Sequence, residues 1–313
     1  MEYRPQLDAL RAIAVVGVLF SHFWVEESVA GDLGVGLFFV LSGFLITRIL
    51  LQRPTLAEFY ERRARRLVPA FLAAMAFAIV LFPNVRATWL WHLSGLTNVL
   101  FSISPDTAPW QLSHLWTLDT EFQFYLVWPF LVLFAPTAVL PWVCLAAIAV
   151  TGSELFLSQV ETPLDDVWGE IYPFAALLAG ALLALYKGRR LWVYVLAAVC
   201  APLALWTLFR SHHYYELAEL ATFAGLVLAA SENELPIAHP WLVELGKISY
   251  GVYLYHLLLW GAVQPYGLQN RGPVLLFLMS AASIAVAWAS YRWLERPIRR
   301  GRRRKAQAPA GAA

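Results

Sequence analysis

Apolar runs of about twenty residues recur along the chain, separated by short polar or basic connections. At 1.5 Å per residue such a run crosses a hydrocarbon core of about 30 Å as a helix. The pattern predicts helices near 8–24, 33–51, 67–83, 120–136, 138–152, 170–186, 191–209, 215–231, 244–263 and 273–292. The expected fold is therefore all-α, a polytopic membrane protein with about ten transmembrane helices. The segment 86–103 reads either as an eleventh span or as an interfacial piece. Residues 1–298 are expected to form one membrane domain, and the basic stretch and small residues of 299–313 a disordered tail.

Composition strengthens this reading. Of 313 residues, 60% are hydrophobic and only 14% charged, and the mean hydropathy of +0.59 lies outside the range of soluble domains. The net charge of +2 does not indicate nucleic acid, because the basic residues collect in short connections. With the N-terminus cytoplasmic, Arg4, the run Arg53, Arg62, Arg63, Arg65 and Arg66, the turn at 187–190 and the tail at 299–305 all fall inside. The connections left outside carry Glu26, Glu27, Asp32, Glu154, Glu161, Asp165 and Asp166. That is the positive-inside arrangement, and it places both termini in the cytoplasm. The first apolar segment carries Asp8, Arg11 and His22 and no small-residue cleavage site, so it is expected to be retained as a helix. Cys144 and Cys200 lie in apolar runs and are expected to remain thiols.

Ionisable residues inside such helices are costly and face a bundle interior or a wet cavity. Arg11 and His22 are eleven residues apart in the first helix, a rotation about 20° beyond three full turns and a rise of roughly 16 Å. They share a face. Arg63 and Arg66, three apart in FYERRARRLVPAF, suit either phosphate or the headgroups of anionic lipid. Glu121 and Tyr125 share a face in WTLDTEFQFYLVWP. An imidazole at His22 and a carboxylate at similar depth make a base and its orienter, as a hydroxyl needs before attacking a carbonyl. Glu121 is equally readable as an early-turn residue favoured by the helix dipole, and Asp119 reads as an N-cap. Ser42 in GVGLFFVLSGFLIT is either a nucleophile or bonded back to its own helix. His256, with Tyr250 and Tyr253 in ISYGVYLYH, lines the same cavity or is a hydrogen-bonded structural histidine. His212 and His213 fall in an external turn. No His, Cys or acidic spacing suggests a metal.

In their order, YRPQLDALRAIAV with His22, GVGLFFVLSGFLIT, FYERRARRLVPAF, WTLDTEFQFYLVWP, ISYGVYLYH and SYRWLERPIR resemble the acyltransferase family 3 integral-membrane acyltransferases. The resemblance spans residues 3–299. It implies a membrane acyltransferase domain over 1–298 that moves an acyl group, often acetyl, from cytoplasmic acyl-coenzyme A to a hydroxyl of a glycan or glycolipid. The family's arginine and histidine fall on Arg11 and His22, its paired arginines on Arg63 and Arg66, and its glutamate on Glu121. Where many relatives have a second acidic residue after that glutamate, this chain has Phe122, and the familiar serine of the stretch is Asp119. Some relatives carry a fused extracytoplasmic esterase-like domain that does not follow here, so the acyl group is expected to pass directly to its acceptor or to a separate protein.

The resemblance thus implies acetyl-coenzyme A as donor, bound by Arg63 and Arg66, with no metal. His22 is the expected general base, with Glu121 orienting it and Arg11 steadying the donor or pairing with Asp8. Asp8, Ser42, Trp116, Tyr125 and His256 are the expected substrate-facing residues. The expected location is a bacterial plasma membrane. Two other classes fit the same charged line: a transporter or flippase of an acylated lipid or glycan, and a non-catalytic membrane subunit. Transporters commonly carry inverted repeats, which this sequence does not display.

Overall fold

Local sequence fixes where the helices begin. A computed structural model describes residues 3–26, 28–157, 172–186, 190–208, 215–268 and 270–299. The connections at 158–171 and 187–189, the pair His212 and His213, and the tail beyond 299 lie outside them. α1 (Pro5–Phe23) opens on a proline, whose missing N–H costs nothing in a first turn. α2 (Val29–Leu50) is capped by Ser28, which accepts from the Ala30 N–H at 3.3 Å. α3 (Leu56–Leu81) starts on a reciprocal capping box between Thr55 and Glu58. Arg62, Arg63, Arg65 and Arg66 are therefore part of a continuous helix that begins earlier than its apolar pattern.

The remaining helices are α4 (Pro83–Leu93), α5 (Thr97–Ile103), α6 (Leu115–Phe134), α7 (Leu140–Leu157), α8 (Tyr172–Leu185), α9 (Arg190–Leu208), α10 (Tyr215–Ser231), α11 (Pro240–Val263) and α12 (Pro273–Ser290). A wider turn at Tyr291–Glu295 continues α12. Among the described residues there is no strand, and ten helices are fourteen residues or longer, one in each predicted region. Among the described residues, four stretches are long and apolar enough to cross a membrane: Pro5–Phe23, Val29–Leu50, Leu56–Leu81 and Pro273–Arg299. The segment 86–103 forms no single span. It breaks near Gly95, whose φ of 72° belongs to the left-handed region, leaving α4 with 11 residues and α5 with 7. At 1.5 Å per residue neither reaches across about 30 Å of hydrocarbon.

α1 packs between α2 and α11, and α2 in turn packs on α8. Glycines let these backbones meet: a Cβ on Gly246 would lie 1.8 Å from the Asp8 carbonyl oxygen, and one on Gly43 1.8 Å from that of Leu177. α1, α3 and α11 run in one direction. Gly246 lies at Asp8 while His256 lies at His22, and the hydroxyls of Tyr250 and Tyr255 donate to the carbonyls of Leu67 and Ala70. α6 runs the other way with α2, joined to it by Ser42 to Tyr125 and by Thr47 to Trp128. Arg53 turns the chain with φ of 53° and donates to the carbonyls of Val132 and Leu133 at 3.3 and 2.9 Å, satisfying the end of α6. One end of the bundle thus gathers the starts of α1, α3 and α11, and the opposite end holds His22 and His256. Gly246→Val is expected to cost at least the 1–3 kcal/mol, roughly, of core overpacking, read as a lower melting temperature of the detergent-solubilised protein. An unchanged melting temperature would contradict the contact.

Candidate active site

α1, α2, α3, α6 and α11 surround a cavity of about 670 Å³ including its open mouth. Its polar lining is Arg11, Ser42, Arg63, Arg66, Thr117, Glu121, Tyr125, Ser249, Tyr250 and Tyr253, and Val35, Phe38, Phe39, Leu67 and Leu118 supply apolar wall. Three guanidiniums and one carboxylate thus line the cavity, which leaves it suited to an anion.

The helix face separates two pairs of arginines. Arg62 is exposed and Arg65 pairs with Glu61 at 2.7 Å, whereas Arg63 and Arg66 turn into the cavity. The Arg63 guanidinium lies over the Phe59 ring, 5.8 Å from its centroid, and its Nε is buried without a protein hydrogen-bond partner. A buried donor left unpaired costs about 1–3 kcal/mol, more when charged, so an anion in the cavity would relieve it. Arg11 has Asp8 3.7 Å away, and Asp8 also accepts from the Tyr3 hydroxyl at 2.8 Å. Opposite the arginines, Tyr125 donates to Glu121 Oε2 at 2.9 Å. Its hydroxyl proton being so used, Ser42 Oγ, also 2.9 Å from it, is the donor in that second bond. Ser42 is bonded across to α6 and not back to its own helix.

His22 lies elsewhere. Its Nδ1 is 3.0 Å from the Val18 carbonyl oxygen and 3.2 Å from His256 Nε2. His256 in turn packs against His114, ring centroids 4.9 Å apart. This replaces the expected pairing of Glu121 with His22. The reason is depth: α6 begins at Leu115 and not at 120, which sets Glu121 about 8 Å further along the bundle than the predicted span did. Tyr253 and Thr117 link the cavity lining to the histidine cluster. The Tyr253 hydroxyl is 2.7 Å from Thr117 Oγ1 and donates to the His114 carbonyl at 3.0 Å, and its ring touches both His114 and His256.

Of the expected substrate-facing residues, Ser42 and Tyr125 line the cavity. Trp116 packs on Phe39, Asp8 sits behind Arg11, and His256 belongs to the histidine cluster. Among the described residues no group of three His, Cys, Asp or Glu side chains is arranged to hold a metal ion. Cys144 is buried and Cys200 half-buried, both as thiols. Thr117 and Ser249 escape a sequence reading because hydroxyls in apolar helices usually bond to their own backbone. His114 appears in sequence only as a residue near a helix start.

Asp119 is not the N-cap of α6, which is His114. It is fully buried and accepts from the backbone N–H of Thr97, the first residue of α5. It caps a neighbouring helix. Asp119→Ala is expected to lower stability by about 1–2 kcal/mol, the usual worth of such a cap, without changing affinity for a cavity ligand. A stable variant with weakened ligand binding would contradict this.

The model of the type 3 acyltransferase domain matches residues 4–292, nearly the whole chain. The chain belongs to acyltransferase family 3. It is 28% identical, over 95% of its length, to O-acetyltransferase OatA of Staphylococcus aureus strain NCTC 8325, and 29% identical, over 96%, to peptidoglycan O-acetyltransferase OatA of Listeria monocytogenes strain EGD-e. These alignments cover 57% and 56% of the two relatives, so the chain spans little more than half their length. No solved structure matches.

Proposed function

We propose that this protein is a membrane-embedded O-acyltransferase that moves an acetyl group from cytoplasmic acetyl-coenzyme A to a hydroxyl of a glycan, with cell-wall peptidoglycan or a glycolipid carrying the same sugars as the acceptor class. The observation that carries the reading is the cavity lined by Arg11, Arg63, Arg66 and Glu121, with Asp8 behind Arg11, so that three guanidiniums meet two carboxylates inside a chain of this family. The nucleotide phosphates of the donor lie against Arg63 and Arg66, and its thioester reaches past Thr117 and Tyr253 toward His22. The acceptor hydroxyl gives its proton to His22 as its oxygen bonds to the thioester carbonyl carbon. The C–S bond then breaks, and the coenzyme leaves as a thiol with the proton that His22 returns. Arg11 stabilises the donor, while Glu121, held by Tyr125, balances the arginines.

In this reading the ten long helices all cross the bacterial plasma membrane, the arginine end and both termini face the cytoplasm, and the histidine end faces outward. The name of the Listeria monocytogenes relative supports the acceptor class, and the charge pattern supports the orientation. The test is purified protein in nanodiscs with labelled acetyl-coenzyme A and a panel of glycans that includes peptidoglycan fragments. Label on a sugar hydroxyl is the expected result. Absence of both coenzyme binding and label transfer would reject the proposal and favour transport.

A further inference from the structure

Hydrogen-bond chemistry assigns the protons in the histidine cluster. His256, fully buried, has Nδ1 2.5 Å from the Tyr253 carbonyl oxygen. A carbonyl oxygen only accepts, so His256 Nδ1 carries the proton and, in the neutral ring, Nε2 is a bare acceptor. That bare nitrogen lies 3.2 Å from His22 Nδ1, whose other neighbour is the Val18 carbonyl oxygen at 3.0 Å. Both neighbours accept, so His22 Nδ1 carries the proton and shares it between them. The lone pair of neutral His22 is then on Nε2, the nitrogen for which the structure gives no protein partner.

His114 completes the packing without altering this assignment. Its Nε2 donates to the Leu254 carbonyl at 3.1 Å, and its ring lies against His256. Glu121 does not take part, because its carboxylate is engaged by Tyr125.

We infer that His256 is the positioning residue of the His22 base: it fixes the ring and holds its proton on Nδ1, so that Nε2 faces the acceptor hydroxyl bare. This deepens the proposed function and rests on His22 acting there as base. The device needs no carboxylate. The Tyr253 carbonyl sets the tautomer of His256, His256 sets that of His22, and both contacts come from the turn 253–256 of α11. Tyr253 also lines the cavity, so the residue that bounds the donor site anchors the proton relay as well.

Two substitutions separate positioning from packing. His256→Phe fills a similar volume without an acceptor, whereas His256→Gln offers an acceptor oxygen near the position of Nε2. Loss of the partner that orients a metal-ligating imidazole typically costs about 10- to 100-fold in activity, and a loss of similar size is expected for an oriented base. His256→Phe is expected to lower kcat by that amount with the donor KM unchanged, and His256→Gln to recover most of the loss. Equal losses in both variants, or a loss carried by KM, would overturn the inference. Wild-type turnover in His256→Phe alongside an inactive His22→Ala would overturn it while leaving His22 as the base. Wild-type turnover in His22→Ala would instead remove the base reading itself.

A readout independent of turnover is the ¹⁵N spectrum of histidine-labelled protein in nanodiscs, with His22 assigned through His22→Gln. A protonated Nδ1 and bare Nε2 on His22 are expected in the wild type, relaxing to a mixture of tautomers in His256→Phe. A protonated Nε2 in the wild type would overturn the inference, and this measurement decides the matter even if His256→Phe does not fold.

Discussion

Replacing His22 with alanine is expected to lower turnover by about 10²- to 10⁴-fold, the usual contribution of a positioned general base. The donor KM should hardly move, because His22 stands outside the arginine cavity and touches none of its lining charges. The fold should survive as well. His22 is only half-buried, and its hydrogen-bond and ring partners are the Val18 carbonyl and His256. Initial rates of label transfer at saturating donor, with a melting curve on the same sample, check both statements. Turnover at the wild-type rate would exclude His22 as the base.

Arg63→Ala is expected to act in the opposite way, raising the donor KM by roughly 10- to 150-fold with a much smaller change in kcat. A hydrogen bond to a charged group is worth about 1.5–3 kcal/mol, and each 1.4 kcal/mol is tenfold in affinity. Arg63 is preferred to its neighbours for this test because its Nε is buried with no protein partner, so what the substitution removes inside the protein is chiefly the contact of its guanidinium with the Phe59 ring. Arg65→Ala is the control: Arg65 lies outside the cavity and pairs with Glu61. Equal effects from the two substitutions would mean that the run anchors the protein to lipid headgroups and does not bind a donor.

Much of the helical frame was legible in the sequence, because apolar runs report directly on which segments avoid water. Depth along the bundle was not. Arg11 and His22 do lie on the same helix, but sharing a face over three turns still separates them by roughly 16 Å, and they serve different surroundings. The error in pairing Glu121 with His22 has the same origin. Hydropathy placed the start of this helix at 120, while the chain is already helical at Leu115 through polar residues that an apolar window discounts. Asp119 reads as a cap from its type alone, and it is one, but for α5; sequence spacing cannot name a partner 22 residues away. The choice between lipid anchoring and an inward face for Arg63 and Arg66 needed the packing of α3 against α11 and the cavity beside it, which sequence spacing does not report. The part of the site built from chain neighbours was readable, and the part built across α6 and α11 was not.

In the proposed function the donor enters at the arginine end, and the acyl group leaves at the histidine end. Oriented proteoliposomes test it most directly, with labelled acetyl-coenzyme A supplied on the side of the N-terminus and a glycan acceptor confined to the other side. The expected result is label on the confined glycan, lowered at least about 10-fold by Arg63→Ala at low donor concentration and about 10²- to 10⁴-fold by His22→Ala at any concentration. Transfer only when donor and glycan share one compartment would contradict the claim.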